Sequence, residues 1–277
     1  MKKLLALALI LLTPTFVHGE DLNRIISIGG SLTETVYALG QEAKLVGSDT
    51  TSYFPPAAED LPKVGYMRTL STEGVLSLKP GAVILTEEAG PPPVLAQLQA
   101  ANVKLVKLKA AKSLDDVMGN NVELASLLGV PAKGAELNAQ MTAALRNLEE
   151  LKSKQKAAPR VMFLMNHGGA PMVAGKGTSA DSIIELAGAE NVVQDYERYK
   201  PLTPEAAVKY APDYLIVSTS SLQSVGGIEK FLELPGLALT PAGQQKKVVD
   251  MDALLLLGFG PRTVDAAIEL NRKLTAK

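Results

Sequence analysis

The chain has 277 residues, a formal net charge of −1, no Cys, no Trp and two His. Without Cys there is no disulfide, thiol nucleophile, iron–sulfur cluster or thiolate zinc site. Two His cannot build a multi-histidine metal cage, and near-zero charge gives no electrostatic footprint for nucleic acid. With 47% hydrophobic and 21% charged residues, the composition suits a globular protein of one large or two smaller domains.

Lys2 and Lys3 precede nine unbroken apolar residues, Leu4 to Leu12, and Val17-His18-Gly19 offers a small-residue cleavage point before Glu20. Nine residues are too few to span a bilayer, which needs about 20, so residues 1–19 read as a secretory signal peptide. Cleavage there removes two Lys and leaves 26 bases against 29 acids, a mature charge of −3, with His167 as the last histidine. No Cys stands at the cleavage point to take a lipid anchor. The expected location is the periplasm, in soluble form.

Beyond the leader, Arg24–Ile28 predicts a short buried strand closed by Gly29 and Gly30. Ser31 then reads as an N-cap and Glu34 as its capping-box partner, with Gly40 ending the helix. A second strand follows at Leu45–Gly47. Ser71 or Thr72 opens a helix running to Leu78, and Ala82–Leu85 is a strand. Pro91–Leu98, Val103–Leu108 and Ser113–Leu128 continue the alternation, which argues for an α/β parallel sheet. Leu137, Met141, Ala144, Leu148 and Leu151 recur at spacings of 4, 3, 4 and 3, so Pro131 to about Lys154 reads as one long amphipathic helix.

After Pro159 the pattern restarts with a strand at Arg160–Leu164 and a helix opening at Ser179–Ser182 and ending at Gly188. Glu73–Ile84 aligns without a gap on Glu205–Ile216, an offset of 132 residues that keeps Glu, Pro and the hydrophobic strand together. The expected architecture is therefore α/β, with two Rossmann-like α/β lobes joined by one long connecting helix. The expected boundaries are 20–130 for the first lobe, 131–157 for the connector and 158–277 for the second lobe.

Catalytic motifs are scarce. No Gly-x-Ser-x-Gly elbow is present. Gly169–Thr178 resembles a phosphate-binding loop, but it has one residue too many between its glycines and Gly177 follows Lys176 where Ser or Thr belongs. It reads better as a glycine-rich turn. Gly29-Gly30-Ser31 offers either an anion site or, more simply, a tight strand-to-helix turn. His167 follows a strand, where open α/β sheets place ligands, although a lone loop histidine is commonly solvated. Tyr66 lies in a loop two residues before Arg68. A nearby guanidinium favours phenolate over phenol, and a phenolate oxygen suits ferric iron, tyrosine being a known haem ligand type.

On these residues the chain resembles the periplasmic haem-binding proteins that feed bacterial haem ABC importers, in the helical-backbone class of substrate-binding proteins. The likeness extends over essentially the whole mature chain. Its most specific stretches are Val64–Pro80, Ala174–Asp181, Tyr199–Glu205 and Gly258–Thr263. The resemblance implies a carrier without catalytic activity that holds one or two haems between its lobes. Tyr66 would be the axial haem ligand, and His167 a possible second ligand of the haem iron. Arg68 and Arg262 would contact the tyrosinate or the propionates. Glu73 and Glu205 would dock one lobe each onto the inner-membrane ABC permease, downstream of a possible outer-membrane haem receptor system. A ferric-siderophore or cobalamin carrier of the same class stays open, as does, more remotely, a haem-modifying enzyme with His167 as its acid–base group.

Overall fold

The structure, a computed structural model, describes residues 22–165 and 171–276. The leader 1–19 and His167 lie outside the described residues. The first lobe is built from β1 (Ile25–Ile28), α1 (Gly30–Ala38), β2 (Leu45–Ser48), α2 (Thr72–Ser77), β3 (Ala82–Thr86), α3 (Pro92–Ala100), β4 (Lys104–Leu108) and α4 (Leu114–Leu127). Its four strands lie in the order β2-β1-β3-β4, all parallel. Every residue of β1 and β3 is buried, as expected where helices cover both faces of a parallel sheet.

One helix, α5 (Pro131–Ser153), then runs for 23 residues, about 34 Å at 1.5 Å per residue. It packs against α4 at one end, where Gly134 is required: a Cβ there would stand 2.6 Å from the Ala125 Cβ. Leu137 rests on the first lobe's core with Leu32, Val36 and Leu124. Met141 and Leu148, further along the same stripe, enter the second lobe's core with Phe163, Ile183 and Leu270. The apolar spacing of the sequence thus serves two cores in succession.

The second lobe contains β5 (Arg160–Met165), β6 (Met172–Ala174), α6 (Ser179–Leu186), β7 (Glu190–Asn191), β8 (Tyr199–Pro201), α7 (Pro204–Tyr210) and β9 (Tyr214–Ser218). Three short helices follow, α8 (Thr219–Ser224), α9 (Ile228–Leu232) and α10 (Pro241–Gln244), then β10 (Val248–Met251), α11 (Ala253–Leu257) and α12 (Thr263–Thr275). The sheet order is β10-β9-β5-β6-β8, with β7 also paired to β5. β6 runs antiparallel to both β5 and β8. Met172–Ala174 therefore forms a strand inside the stretch read from sequence as a glycine-rich turn.

The 132-residue offset holds in structural detail. β3 at 82–86 maps onto β9 at 214–218. The helix caps map likewise: Ser71 accepts from the Gly74 N–H and Thr203 from the Ala206 N–H. Lys79 and Ala211, also 132 apart, both take left-handed backbone (φ 47° and 44°) where the helix stops before proline. In the first lobe Arg24 donates to the carbonyls of Leu78 and Lys79. In the second, Arg160 donates to those of Tyr210 and Ala211. A cation satisfying the last carbonyls of a helix complements its dipole, and each lobe ties this helix to its first strand in that way.

One local expectation is overturned. Ser31 does not cap α1, and Glu34 does not return to the helix start. The cap position is Gly29 (φ 111°), without a side-chain cap. The free N–H groups of Gly29 and Gly30 are instead taken by Asp49 Oδ1 at 2.9 Å and Thr51 Oγ1 at 2.9 Å. Glu34 is drawn away by Arg262, which donates to both of its carboxylate oxygens at 2.8 Å.

Candidate functional site

Tyr66 stands on a turn held at both ends by buried residues. Val64 and Leu70 are each almost fully buried. The Val64 N–H donates to the Ser48 carbonyl and the Thr50 N–H to that of Gly65, both at 2.9 Å. Gly65 takes φ 103°, a backbone conformation that favours glycine. Thr69 N–H closes the turn onto the Tyr66 carbonyl at 2.8 Å, and Gly90 exchanges hydrogen bonds with Met67 and Leu70. Between these anchors the Tyr66 side chain is thrown outward, 39% exposed, among the few large hydrophobic residues on the surface.

Arg68 is brought onto it. Its Nη1 donates to Tyr66 Oη at 2.8 Å, and the guanidinium carbon lies 6.0 Å from the ring centroid. Arg68 Nη2 is bonded in turn to the carboxylate of Glu88, just past the end of β3. Burial works against the Arg68 charge, but Tyr66 and Glu88 outweigh it, and its pKa is held above the ordinary value. The phenol oxygen thus accepts from a permanent cation that a carboxylate fixes in place, on a side chain that is itself exposed. A Lewis-acidic metal approaching that oxygen meets a donor atom with a guanidinium already hydrogen-bonded beside it.

The turn depends on a buried hub. Asp49, fully buried, accepts from the Gly29 and Thr51 N–H groups and from the hydroxyls of Thr51 and Ser52. Lys63 donates to Ser48 Oγ and to the carbonyls of Ser52 and Ala58. Burial lowers its pKa, with Asp49, Glu59 and Asp60 acting in opposition. This network joins the start of α1, the 49–63 segment and the strand end from which the Tyr66 turn departs.

Arg262 has other partners. It is bonded to Glu34 through both Nε and Nη2, and its guanidinium lies flat on Phe54, 3.4 Å from the ring centroid. Beside it Tyr53 Oη donates to Asp252 at 3.0 Å and accepts from the Leu254 N–H at 2.8 Å. Burial is the main cause pushing the Tyr53 phenol up to about 12, so the hydroxyl keeps its proton at neutral pH. All these contacts cross from the first lobe to the segment 252–262 of the second. Close packing supports them, since a Cβ on Gly30 would fall 2.7 Å from Leu254 and one on Gly260 3.1 Å from Ser31. A cavity of about 550 Å³ adjoins this clasp, lined by Tyr37, Phe54, Met141, Ala144 and Arg262 among others, and Tyr66 is not part of its wall.

Glu73 and Glu205 occupy the second position of α2 and α7, one per lobe, both exposed and neither ion-paired to a described residue. Tyr66 and Arg68 are thus brought together, Arg262 is placed in the clasp, and the two glutamates stand on separate lobes. Glu88, Asp49 and Tyr53 escaped the sequence reading. Glu88 alone left a signal there, because the carboxyl ends of parallel strands border ligand crevices. Among the described residues no group of three or more His, Asp or Glu side chains could hold a free metal ion. No described helix is long and apolar enough to cross a membrane.

Comparison with known proteins adds four findings. The profile of a family described as periplasmic binding protein matches residues 25–255. The periplasmic heme-binding protein RhuT from Roseiflexus sp. RS-1, in apo form, is 40% identical with a TM-score of 0.88, covering 91% of this chain and 97% of that one. The periplasmic heme-binding protein BhuT, solved in complex with two hemes, is 41% identical with a TM-score of 0.86 over 91% and 97% of the two chains. A vitamin B12-binding protein of Pectobacterium carotovorum is 27% identical over 91% of this chain and 88% of its own length.

Proposed function

The chain belongs to the periplasmic binding protein family, and from that premise we propose that it captures haem between its two lobes, with Tyr66 on the iron, and delivers it to an ABC permease. The observation that carries this reading is the Arg68–Tyr66 hydrogen bond backed by Glu88. It places a guanidinium-bonded phenol oxygen at the surface of a chain 40% identical to a haem-binding protein. A porphyrin supplies four ligands to its iron, so a protein with a single well-placed oxygen donor suffices. This accords with a sequence that lacks Cys and has two His.

Five roles follow for the chain's own residues. Tyr66 binds the iron, and Arg68 stabilises the bound phenolate by donating to it. Glu88 orients Arg68. His167, two residues past the end of β5, is the candidate for a further ligand, either on the same iron or on a second haem. Glu73 and Glu205 dock the lobes onto the permease, one at each end. The 1–19 leader directs the protein to the periplasm, where an outer-membrane haem receptor would supply the cargo. The activity in this reading is binding and transfer, without chemistry on the macrocycle.

Adding ferric haem to the purified mature protein is expected to shift the Soret band, and Tyr66→Ala should weaken binding at least a hundredfold. An unchanged spectrum and affinity in that variant would remove Tyr66 from the iron. Cyanocobalamin, offered in parallel, should not bind. If it bound in preference to haem, the vitamin carrier relatives would be the better guide. Haem-to-protein stoichiometry for the wild type and for His167→Ala distinguishes a shared iron from a second haem.

A further inference from the structure

The haem reading gives the second lobe a candidate ligand in His167 but no described residue against the macrocycle itself, and Tyr199 meets the requirements for one. The 132-residue offset that matches Leu70 to Leu202, both buried, and Ser71 to Thr203, both helix caps, sets Met67 against Tyr199. Strand β8, which carries Tyr199, therefore takes the place in the second lobe that the Tyr66 turn takes in the first. β8 pairs with β6 through Ala174↔Tyr199, and β6 pairs with the end of β5 through Met165↔Met172. Alternation along β8 sends Lys200 over the Tyr196 ring, 4.7 Å from its centroid. Tyr199 projects to the opposite face, its ring edge-on to Phe163 at 6.5 Å. Burial raises its pKa, hydrogen bonds to Ala180 and Thr178 oppose the rise, and Glu88 and Arg68 act on it from the other lobe. This half-buried ring thus lies within electrostatic reach of the pair that holds Tyr66.

We propose that the ring of Tyr199 is the second lobe's wall of the haem site, packing against the macrocycle face turned away from Tyr66. The ring would select a flat aromatic macrocycle regardless of its metal, whereas Tyr66 selects the iron. Tyrosine suits such a place because its apolar body stacks while its hydroxyl stays anchored. The edge-on Phe163 contact holds the ring before cargo arrives, so little side-chain entropy is lost on binding.

The inference rests on the haem reading, and the test separates the two. Ferric haem and iron-free protoporphyrin IX would each be titrated into wild type, Tyr66→Ala, Tyr199→Leu and Tyr199→Phe, with thermal melts to establish folding. Tyr199→Leu should lose about tenfold toward both ligands, the order expected when an aromatic anchor is truncated. Tyr199→Phe should stay within about twofold of wild type. Tyr66→Ala should lose haem and keep the iron-free porphyrin. The proposal is overturned if a folded Tyr199→Leu binds both ligands as wild type does. It is equally overturned if Tyr199→Phe loses as much as Tyr199→Leu, which would assign the effect to the hydroxyl. A wild type that binds neither ligand would instead defeat the haem reading itself.

Discussion

In the first lobe the segment ahead of the capped helix is a tight turn, Tyr66–Thr69, that throws a phenol into solvent. In the second lobe the matching segment is strand β8, paired to β6 at the sheet edge, and its tyrosine lies half-buried on Phe163. Around both segments the scaffolding is the same: a Ser or Thr cap, an exposed glutamate at the second helical position, a left-handed stop before proline, and an arginine tying the helix end to the first strand. The repeat builds the frame twice, and the two copies part at the segment ahead of the helix. The turn of the first lobe presents an exposed phenol held by an arginine, whereas the paired strand of the second keeps its tyrosine half-buried.

The sharpest way to break this comparison is to cut the contact between the copies. Glu34→Ala would leave the Arg262 guanidinium, 25% exposed, against Phe54 without its carboxylate. The expected cost is about 3 kcal/mol, which lowers the melting temperature by roughly 6–12 °C for a protein of this size. A loss below about 1 kcal/mol in a denaturant titration would mean that packing alone holds the lobes together.

A smaller effect tests whether the shared frame is energetically shared. Arg24→Ala and Arg160→Ala each remove two hydrogen bonds to helix-end carbonyls, and each should cost about 1.5 kcal/mol. Equivalent positions should lose equivalent amounts. A difference of more than twofold would show that the two lobes differ in stability despite their common geometry. The smallest effect is expected at the caps, where Ser71→Ala and Thr203→Ala should each cost about 1 kcal/mol. Ser71→Ala should also weaken haem binding slightly, since this cap stands two residues after the Tyr66 turn closes, whereas Thr203→Ala follows a segment already pinned in the sheet.

Much of the frame was legible in the sequence because it is written in local pattern. The apolar stripe of α5, the strand at Arg160 and the offset of Glu73 from Glu205 all follow from spacing alone. Tyr66 and Arg68 were legible as a pair for the same reason, being two residues apart. Glu34 was misread because a carboxylate three residues after a serine looks like a capping box, while its partner stands 228 residues further on. Glu88, Asp49 and Tyr53 were invisible for a similar reason. Their roles come from neighbours 20, 20 and 199 residues distant, and no periodicity records such pairings. Strand β6 was hidden by the glycines that flank it, one of which, Gly175, packs so closely that a Cβ would meet the Tyr196 carbonyl at 2.4 Å.

The clasp between Tyr53, Glu34 and the 252–262 segment also orders events in time. A chain folding from its N-terminus can complete the four-stranded first sheet from residues 25–108 alone. Yet the buried carboxylate of Glu34 waits for an arginine near the far end of the chain, and Tyr53 waits for Asp252. Until those last residues arrive, the first lobe holds an unpaired charge and an unfilled seat on Phe54. Joining the lobes is therefore a late step, paced by long-range closure rather than by the local helices. A chain shortened before Arg262 would carry an intact Tyr66 turn on a lobe that never finishes closing.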